Sequence, residues 1–235
     1  ERCMKQRQLL VTGCSRGIGL AITGRLLDEG HRIVGISRLP PGIDSTRFSH
    51  VETDLSDLDR LPHALRELSN QYPDIDAVIL NAGIGRFGSL EEFSANQIRQ
   101  LVDLNLTSQV LLAREFLPKL KERGGGDLVF IGSESALRGG RYGTVYAATK
   151  FGIRGLVQAL QEECSTSSVR VGIINPGMVN TGFFDELDFR PGDEADQHLV
   201  PDDVVEAVLL MLDARQGAVI REINLQPQKR VIRFD

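Results

Sequence analysis

The sequence predicts an α/β protein in which a doubly wound sheet of about seven mostly parallel strands carries helices on both faces. Two observations lead to this prediction. Short apolar segments alternate with segments of helical period along the 235 residues, which indicates repeated βα units and hence a parallel sheet. The short segments are apolar on both faces, as expected for strands that lie beneath helices on two sides. We therefore expect one domain over residues 1–235.

The amino-terminal half of the chain contains four predicted strands and two helices. Gly13 ends the first strand and Gly30 ends the first helix, because glycine readily adopts the backbone conformations found where such elements stop. In order, the predicted elements are a strand at 8–12, a helix in which Ile18, Ala21, Ile22 and Leu26 share one face, strands at 32–36 and 49–53, a helix at 58–69 and a strand at 77–80.

The carboxyl-terminal half begins with a long helix that Ser94 can cap and that ends near Leu120, before three consecutive glycines. A strand at 128–131, a helix at 146–163, a strand at 169–174, a helix at 202–212 and a last strand at 219–225 follow. The stretch 177–200 has no regular pattern. Because a connection of this length in a compact domain is usually functional, we interpret 177–200 as a substrate loop.

Composition and charge exclude several function classes. The net charge of −5 argues against binding to nucleic acid or to an anionic membrane surface. No apolar run reaches the roughly 18 residues of a transmembrane helix. The three cysteines and four histidines are scattered, without metal-ligand spacing, so we expect no metal site and a cytoplasmic location.

A glycine-rich segment from Thr12 to Gly19 lies between the first predicted strand and the first helix. Its spacing is GxxxGxG, with glycines at 13, 17 and 19. Glycines allow a sharp turn and a close approach of the backbone to a pyrophosphate, and the helix N-terminus supplies free N–H groups and a positive dipole end. The pattern predicts a phosphate site, although a strand–helix turn without a ligand has the same pattern.

The end of the second predicted strand indicates which dinucleotide would bind. NAD-binding sites of this kind place an acidic residue there for the ribose hydroxyls, but this strand ends with Ser37 and Arg38. An arginine attracts a 2′-phosphate that a carboxylate would repel, and Arg16 in the glycine loop is a second cation in the same region. The pair favours NADP(H) over NAD(H), although Arg38 alone also fits an ordinary solvated residue.

A candidate catalytic group lies at the start of the helix predicted at 146–163. Tyr146 and Lys150 are four residues apart, so both side chains lie on one helix face. A free phenol has a pKa of about 10, and a nearby ammonium lowers this pKa toward the range where the phenol can act as an acid or a base. Ser133 follows the fifth strand, at the carboxyl edge of the sheet where ligands bind in such folds. The YxxxK pattern alone occurs by chance in many helices.

Taken together, these motifs make the chain resemble the classical short-chain dehydrogenase/reductase family over about its whole length. The matching segments are TGCSRGIG at 12–19, Asp54-Leu55, Asn81-Ala82-Gly83, Asn105-Leu106, Ser133, YAATK at 146–150 and Asn175-Pro176-Gly177 with Thr181. Their order and spacing fit the family throughout. The resemblance implies a single-domain Rossmann-like fold and hydride transfer between NADP(H) and a carbonyl compound or its alcohol.

The resemblance also implies a role for each matching residue. Tyr146 would be the general acid or base, Ser133 would hold the substrate oxygen, and Lys150 would bind the nicotinamide ribose and lower the tyrosine pKa. Asn105 would hold a water that relays protons to Lys150. The cofactor would contact Gly13, Ser15, Arg16, Gly17, Ile18, Gly19, Ser37, Arg38, Asp54, Leu55, Asn81, Ala82, Gly83, Tyr146, Lys150, Pro176, Gly177, Val179 and Thr181. Helix pairing as in family members would give a homodimer or homotetramer.

The substrate side of the site has alternative interpretations. The apolar residues Phe183, Phe184, Leu187 and Phe189 fit either a flap that closes over the substrate or an anchor that fixes the loop to the body. Arg138 and Arg141 fit either a grip on a substrate carboxylate or solvent-facing positions. We expect a small or medium carbonyl compound with an apolar portion.

Two further functions compete with an oxidoreductase. A catalytically silent NADP(H)-binding regulator or scaffold would keep the fold, but it has no physical need for the intact set of Asn105, Ser133, Tyr146 and Lys150. An extended-type epimerase or dehydratase would carry a TGxxGxxG loop and a larger carboxyl-terminal region than this chain has. Within the leading interpretation Ser135 is a rival for the serine role, although Ser133 has the family's spacing to Tyr146.

Overall fold

A computed structural model describes residues 6–234 and confirms the predicted α/β class. The strands are β1 Gln8–Thr12, β2 Arg32–Ser37, β3 Phe48–Glu52, β4 Ile75–Leu80, β5 Gly126–Ile131, β6 Val169–Pro176, β7 Phe189–Pro191, β8 Glu222–Leu225 and β9 Ile232–Phe234. The α-helices are α1 Gly17–Asp28, α2 Leu61–Gln71, α3 Ala95–Val102, α4 Ser108–Glu122, α5 Thr144–Glu163 and α6 Pro201–Leu212. A π-helical turn, Asp103–Thr107, joins α3 to α4.

Seven strands form one parallel sheet in the order β3-β2-β1-β4-β5-β6-β8. The chain runs outward from β1 to β3 and then returns, so that β4 pairs with the other edge of β1. In sheets of this kind ligands bind in the crevice at the carboxyl ends of the strands, where the strand order reverses. The topology therefore places a site beyond Thr12 and Leu80, the last residues of β1 and β4.

Two helix layers cover the sheet, as the doubly apolar strands predict. Because side chains alternate along a strand, Leu10 of β1 packs in the core with α2, α4 and α5, while Leu9 and Val11 pack in the core with α1 and α6. Phe116 and Phe130 are the largest fully buried side chains of the first core. Within residues 6–234, no helix is long and apolar enough to cross a membrane.

The long helix predicted from Ser94 to about Leu120 begins where predicted, but it is not one continuous α-helix. Ser94 caps α3, since its hydroxyl accepts a hydrogen bond from the Gln97 N–H while the Gln97 side chain accepts one from the Ser94 N–H. The π-helical turn then interrupts the α pattern, and α4 continues to Glu122. Helical periodicity over so many residues does not reveal one wider turn.

The carboxyl-terminal part contains the main differences from the sequence prediction. The last sheet strand is shorter than 219–225 and covers only Glu222–Leu225. The stretch 177–200 is not wholly irregular, because β7 lies within it and pairs antiparallel with β9. The predicted substrate loop is therefore tied to the end of the chain, a long-range contact that no local pattern indicates.

An ion network joins the amino-terminal ends of four neighbouring strands, because Arg7, just before β1, contacts Asp76 of β4 at 3.0 Å as well as Asp127 of β5. The Asp127 carboxylate at the start of β5 accepts hydrogen bonds from Arg7 at 2.7 Å and from Arg170 at 2.6 and 2.9 Å. The Asp127 side chain is only 3% exposed, so its charge depends on these two partners. The network lies at the opposite edge of the sheet from the crevice and holds the scaffold beneath it.

Candidate active site

A cleft of about 1220 Å³ opens at the carboxyl ends of β1, β2, β4, β5 and β6. All the predicted catalytic and cofactor-binding residues line it except two, Gly19 and Asn105. The topology thus brings together side chains that are more than a hundred positions apart in the sequence, such as those of Arg16 and Tyr146.

The glycine loop has the geometry that a close backbone approach requires. Gly13 and Gly17 have positive φ angles of 70° and 55°, a conformation that residues with a Cβ rarely adopt. A Cβ on Gly19 would lie 2.2 Å from the Gly13 carbonyl oxygen, so this glycine holds α1 against the loop from behind the cleft wall. Within the described chain, the N-cap residue Arg16 makes no side-chain capping bond, which leaves the start of α1 open toward the cleft. This cradle fits a pyrophosphate.

Asn81, after β4, holds the loop that follows β1. Its side-chain amide donates to the Thr12 carbonyl oxygen at 3.0 Å, and the Thr12 hydroxyl accepts hydrogen bonds from the Asn81 and Ala82 N–H groups at 3.0 and 3.1 Å. Ala82 and Gly83 continue along the cleft wall. The residues of the Asn81-Ala82-Gly83 motif therefore connect the two strands at the point where the sheet order reverses.

The end of the cleft next to β2, where the sequence predicts the nucleotide, carries exposed positive charge. Arg16 and Arg38 both line it, and both are exposed. The Ser37 hydroxyl donates to the Leu39 carbonyl oxygen at 2.6 Å, so it stabilises the turn that presents Arg38. Hydrogen bonds from Ser56 lower the pKa of the Asp54 carboxyl, and the Arg38 cation lowers it as well.

The candidate catalytic side chains meet in the buried centre of the cleft. Tyr146 and Lys150, on the first turns of α5, are 8% and 7% exposed. The Lys150 ammonium lies 5.6 Å from the centroid of the Tyr146 ring and donates a hydrogen bond to the Ile131 carbonyl oxygen at 3.3 Å. Ser133 lies beside the phenol, and its hydroxyl accepts a hydrogen bond from the Ser135 N–H at 3.1 Å. Ser135 thus supports Ser133, although its side chain also lines the cleft.

Burial governs the protonation of both groups. It raises the pKa of Tyr146 to about 12, a hydrogen bond with Ser133 lowers this value, and the Glu134 carboxylate raises it. Burial also lowers the pKa of Lys150 to about 8. The sequence predicts a lowered tyrosine pKa, and this expectation is wrong, because burial raises the pKa of Tyr146. Withdrawal of the phenol from water outweighs the attraction of an ammonium that lies beside the ring and bonds to a backbone carbonyl.

Asn105 lies behind the cleft wall rather than on it. Its side-chain oxygen accepts a hydrogen bond from the Ile84 N–H at 2.9 Å, and its amide donates to the Ile84 carbonyl oxygen at 2.8 Å. These bonds fix the segment after Gly83, and Lys150 lies close to the same glycine. The structure therefore gives Asn105 a position next to Lys150, and its role in a water relay remains a prediction.

The loop after β6 forms the wall opposite the glycine loop. Pro176, Gly177, Val179 and Thr181 all line the cleft. The Thr181 side chain lies 3.6 Å from the position that a Cβ on Gly17 would occupy, so the two loops approach each other closely. These residues bring the predicted nicotinamide side of the cleft against the predicted pyrophosphate side.

On the side of the cleft where the sequence predicts the substrate, five phenylalanines form a continuous aromatic wall: Phe87, Phe183, Phe184, Phe189 and Phe234. The rings of Phe87 and Phe183 lie 5.2 and 6.1 Å from the Tyr146 ring, measured between centroids. Further ring contacts of 4.9 to 6.4 Å lead through Phe189 to Phe234 at the end of the chain. Sequence reasoning missed Phe87 and Phe234. The position of Phe87 shortly after β4 could have indicated it, whereas no local pattern indicates Phe234.

Charged residues lie at the mouth of the cleft beside Ser133. Arg138 and Arg141 line it and are exposed, and the Arg141 guanidinium lies 4.7 Å from the Tyr142 ring centroid. Glu134 pairs at 3.9 Å with Arg230, a residue of the carboxyl-terminal segment that sequence reasoning also missed. Within residues 6–234, no group of acidic, histidine and cysteine side chains could hold a metal ion.

Comparison with known proteins identifies the class to which this site belongs. The family described as short chain dehydrogenase matches residues 7–190. The chain is 30% identical over 184 residues to the 3-oxoacyl-(acyl-carrier-protein) reductase MabA of Mycobacterium avium, covering 78% of this chain and 71% of the relative. It is 27% identical over 225 residues to an uncharacterised oxidoreductase of Staphylococcus aureus strain USA300. This match covers 93% of this chain and 96% of the relative.

A solved structure with the same architecture extends the comparison. The alcohol dehydrogenase from the archaeon Thermococcus sibiricus, complexed with 5-hydroxy-NADP, superposes with a TM-score of 0.83 at 27% identity, covering 97% of this chain and 99% of that one. The chain therefore belongs to the short-chain dehydrogenase family and is an oxidoreductase of that family. The predicted resemblance is confirmed.

Proposed function

We propose that this protein is an NADP(H)-dependent oxidoreductase that interconverts a carbonyl compound and its alcohol, with Tyr146 as the general acid or base. The observation that carries the proposal is that the buried side chains of Tyr146 and Lys150 lie with the partly buried Ser133 in one cleft, whose other end is a glycine cradle. A phenol, an ammonium and a hydroxyl in this arrangement are suited to proton transfer at a substrate oxygen.

Each group has a defined task in this proposal. Bound NADP(H) would supply or accept the hydride. In reduction, the Tyr146 hydroxyl gives its proton to the substrate oxygen, which the Ser133 hydroxyl holds in position. A charged Lys150 beside the ring favours the phenolate that results. The high pKa of the free Tyr146 keeps it protonated near neutral pH, in the form that donates.

The mechanism is tested by the Tyr146→Phe variant, with Tyr72→Phe as a control outside the cleft. We expect NADPH consumption with a panel of aldehydes, ketones, diketones and keto acids to fall by about 10²- to 10⁴-fold in Tyr146→Phe. NADPH binding should persist, and Tyr72→Phe should behave as the wild type. Equal turnover in both variants would refute the role of Tyr146. Binding without turnover of any panel member by the wild type would favour the silent NADP(H)-binding regulator.

The preference for NADP(H) over NAD(H) rests on the exposed cations Arg16 and Arg38 at the end of the cleft next to β2. The relative from Thermococcus sibiricus, with its bound NADP derivative, supports it. In Arg38→Asp, we expect the affinity for NADPH to fall, because a carboxylate repels the 2′-phosphate. The difference between the affinities for NADPH and NADH should therefore narrow. Arg32→Asp, at the opposite end of β2, is the control. The fluorescence of the reduced cofactor measures the affinities of both variants. Unchanged NADPH affinity in Arg38→Asp would remove Arg38 from the proposal.

The assembly and location of the protein are also proposals. Val110 on α4 and Phe151 on α5 are 38% and 45% exposed, and exposed apolar side chains on these two helices support a homodimer or homotetramer. Light scattering of the purified protein tests this, because a monomeric mass would reject it. We also propose a cytoplasmic location, which cell fractionation tests.

A further inference from the structure

The carboxyl-terminal segment completes the substrate side of the cleft. β9 pairs antiparallel with β7, so that Phe234 lies directly opposite Phe189. Opposite residues of an antiparallel pair project on the same face, and both of these side chains line the cleft. The end of the chain therefore contributes an aromatic ring to the same wall as the loop after β6.

Charged groups on the outer side hold this segment in place. Lys229 contacts the Asp196 carboxylate at 2.6 Å, and its N–H donates to the Asp196 carbonyl oxygen at 2.7 Å. Arg190 and Arg233, which are opposite each other in the β7–β9 pair, both contact the Asp193 carboxylate. The pairing thus separates a charged outer face from an aromatic inner face.

Glycines make room for the rings nearest the phenol. A Cβ on Gly85 would lie 2.3 Å from the Phe183 ring and 3.0 Å from the Phe87 ring, and a Cβ on Gly143 would lie 3.4 Å from Phe87. Both rings can therefore pack beside Tyr146, where a carbonyl group would lie. Phe234, at the far end of the wall, remains 76% exposed and leaves an apolar surface at the mouth of the cleft.

We infer that the aromatic wall is a subsite for an aryl group attached to the substrate carbonyl, and that the protein's own carboxyl-terminal segment forms part of it. This inference rests on the proposed function and names its substrate class. Aromatic rings attract each other in edge-to-face and offset geometries beyond the burial of area. The wall therefore favours an aryl substituent over a saturated ring of the same size.

A matched pair of ketones tests the subsite without requiring turnover. Acetophenone and cyclohexyl methyl ketone differ in the aromaticity of the ring, and calorimetry measures their binding to protein saturated with NADP⁺, where no reduction can occur. We expect acetophenone to bind about two- to tenfold more tightly, the usual contribution of an aromatic pair. Equal affinities, or no measurable binding of either ketone, would overturn the inference.

Variants of the wall then locate the preference. In Phe183→Leu and Phe189→Leu the affinity ratio of the two ketones should fall toward one, and Phe234→Ala should lower it as well. Leu210→Ala, which removes an exposed apolar side chain from α6, should keep the wild-type ratio. Because a ratio measured on one sample cancels any loss of folded protein, partial unfolding cannot imitate the effect. A wild-type ratio in all three phenylalanine variants would overturn the inference.

Turnover separates this inference from the proposed function. NADPH oxidation by other carbonyl compounds together with equal ketone affinities would leave the oxidoreductase proposal intact and reject the aryl subsite. Tighter acetophenone binding without NADPH oxidation by any carbonyl compound would support the subsite and reject the oxidoreductase proposal.

Discussion

Replacement of Lys150 by methionine should stabilise the fold while it removes activity. Burial lowers the pKa of Lys150 from 10.5 to about 8, so near neutral pH the folded chain carries a charge that its surroundings disfavour. A shift of this size corresponds to about 3 kcal/mol. Methionine has a similar length and no charge, but the hydrogen bond to the Ile131 carbonyl oxygen, worth about 1 kcal/mol, is lost. The net expectation is a gain of about 2 kcal/mol at pH 7.

Urea unfolding of the ligand-free protein measures this gain, with Lys121→Met, an exposed position on α4, as the control. The gain should decrease as the pH rises from about 8 to 10.5. In this window the folded wild type has lost the Lys150 proton while the unfolded chain still binds it, so wild-type stability rises relative to the variant. Lys121→Met should stay within about 0.5 kcal/mol of the wild type. A Lys150→Met protein that is less stable than the wild type at pH 7, or a gain that does not change with pH, would refute the reasoning.

Three further predictions test the glycine loop, the ion network and the buried phenol. Gly19→Ala should weaken NADPH binding and lower the free energy of unfolding by about 1–3 kcal/mol, because the new Cβ would meet backbone atoms. Its control is Gly24→Ala, on the same helix. Because the new Cβ there has open space around it, the free energy of unfolding should rise by about 0.5–1 kcal/mol. Asp127→Asn should cost about 3–5 kcal/mol, since Arg170 loses its carboxylate partner and Arg7 keeps only Asp76. Asp74→Asn, a 72% exposed control, should cost little. Ultraviolet titration should show a tyrosine with a pKa of about 12 that is absent from Tyr146→Phe; three tyrosines that all titrate near pH 10 would contradict the burial of this group.

The arrangement of the glycine loop and of the Tyr146–Lys150 pair in the cleft could be predicted because its determinants are local. Gly13, Gly17 and Gly19 form a turn between adjacent elements, and Tyr146 and Lys150 are neighbours on one helix. Parallel strands bring their carboxyl ends to one edge, so residues that follow different strands converge there without any knowledge of side-chain contacts. A strand-and-helix pattern together with short motifs is therefore sufficient for this arrangement.

The aromatic wall and the electrostatics of the cleft depend on contacts that a linear pattern does not contain. The pairing of Phe189 with Phe234 joins positions 45 residues apart through a strand only three residues long. The direction of the Tyr146 pKa depends on how completely the phenol is buried and on Glu134 beside it. Spacing predicts that an ammonium is near the phenol, but it does not predict the relative size of the two effects.

The π-helical turn at Asp103–Thr107 constrains how the chain can change length during divergence. Each residue of an α-helix turns the chain by about 100° around the helix axis. The loss of one residue here would therefore rotate α3 relative to α4 by about that angle. Either Leu101 would leave the core, or Asn105 would lose both hydrogen bonds to Ile84. We therefore expect insertions and deletions among relatives to avoid this turn and to accumulate in exposed connections.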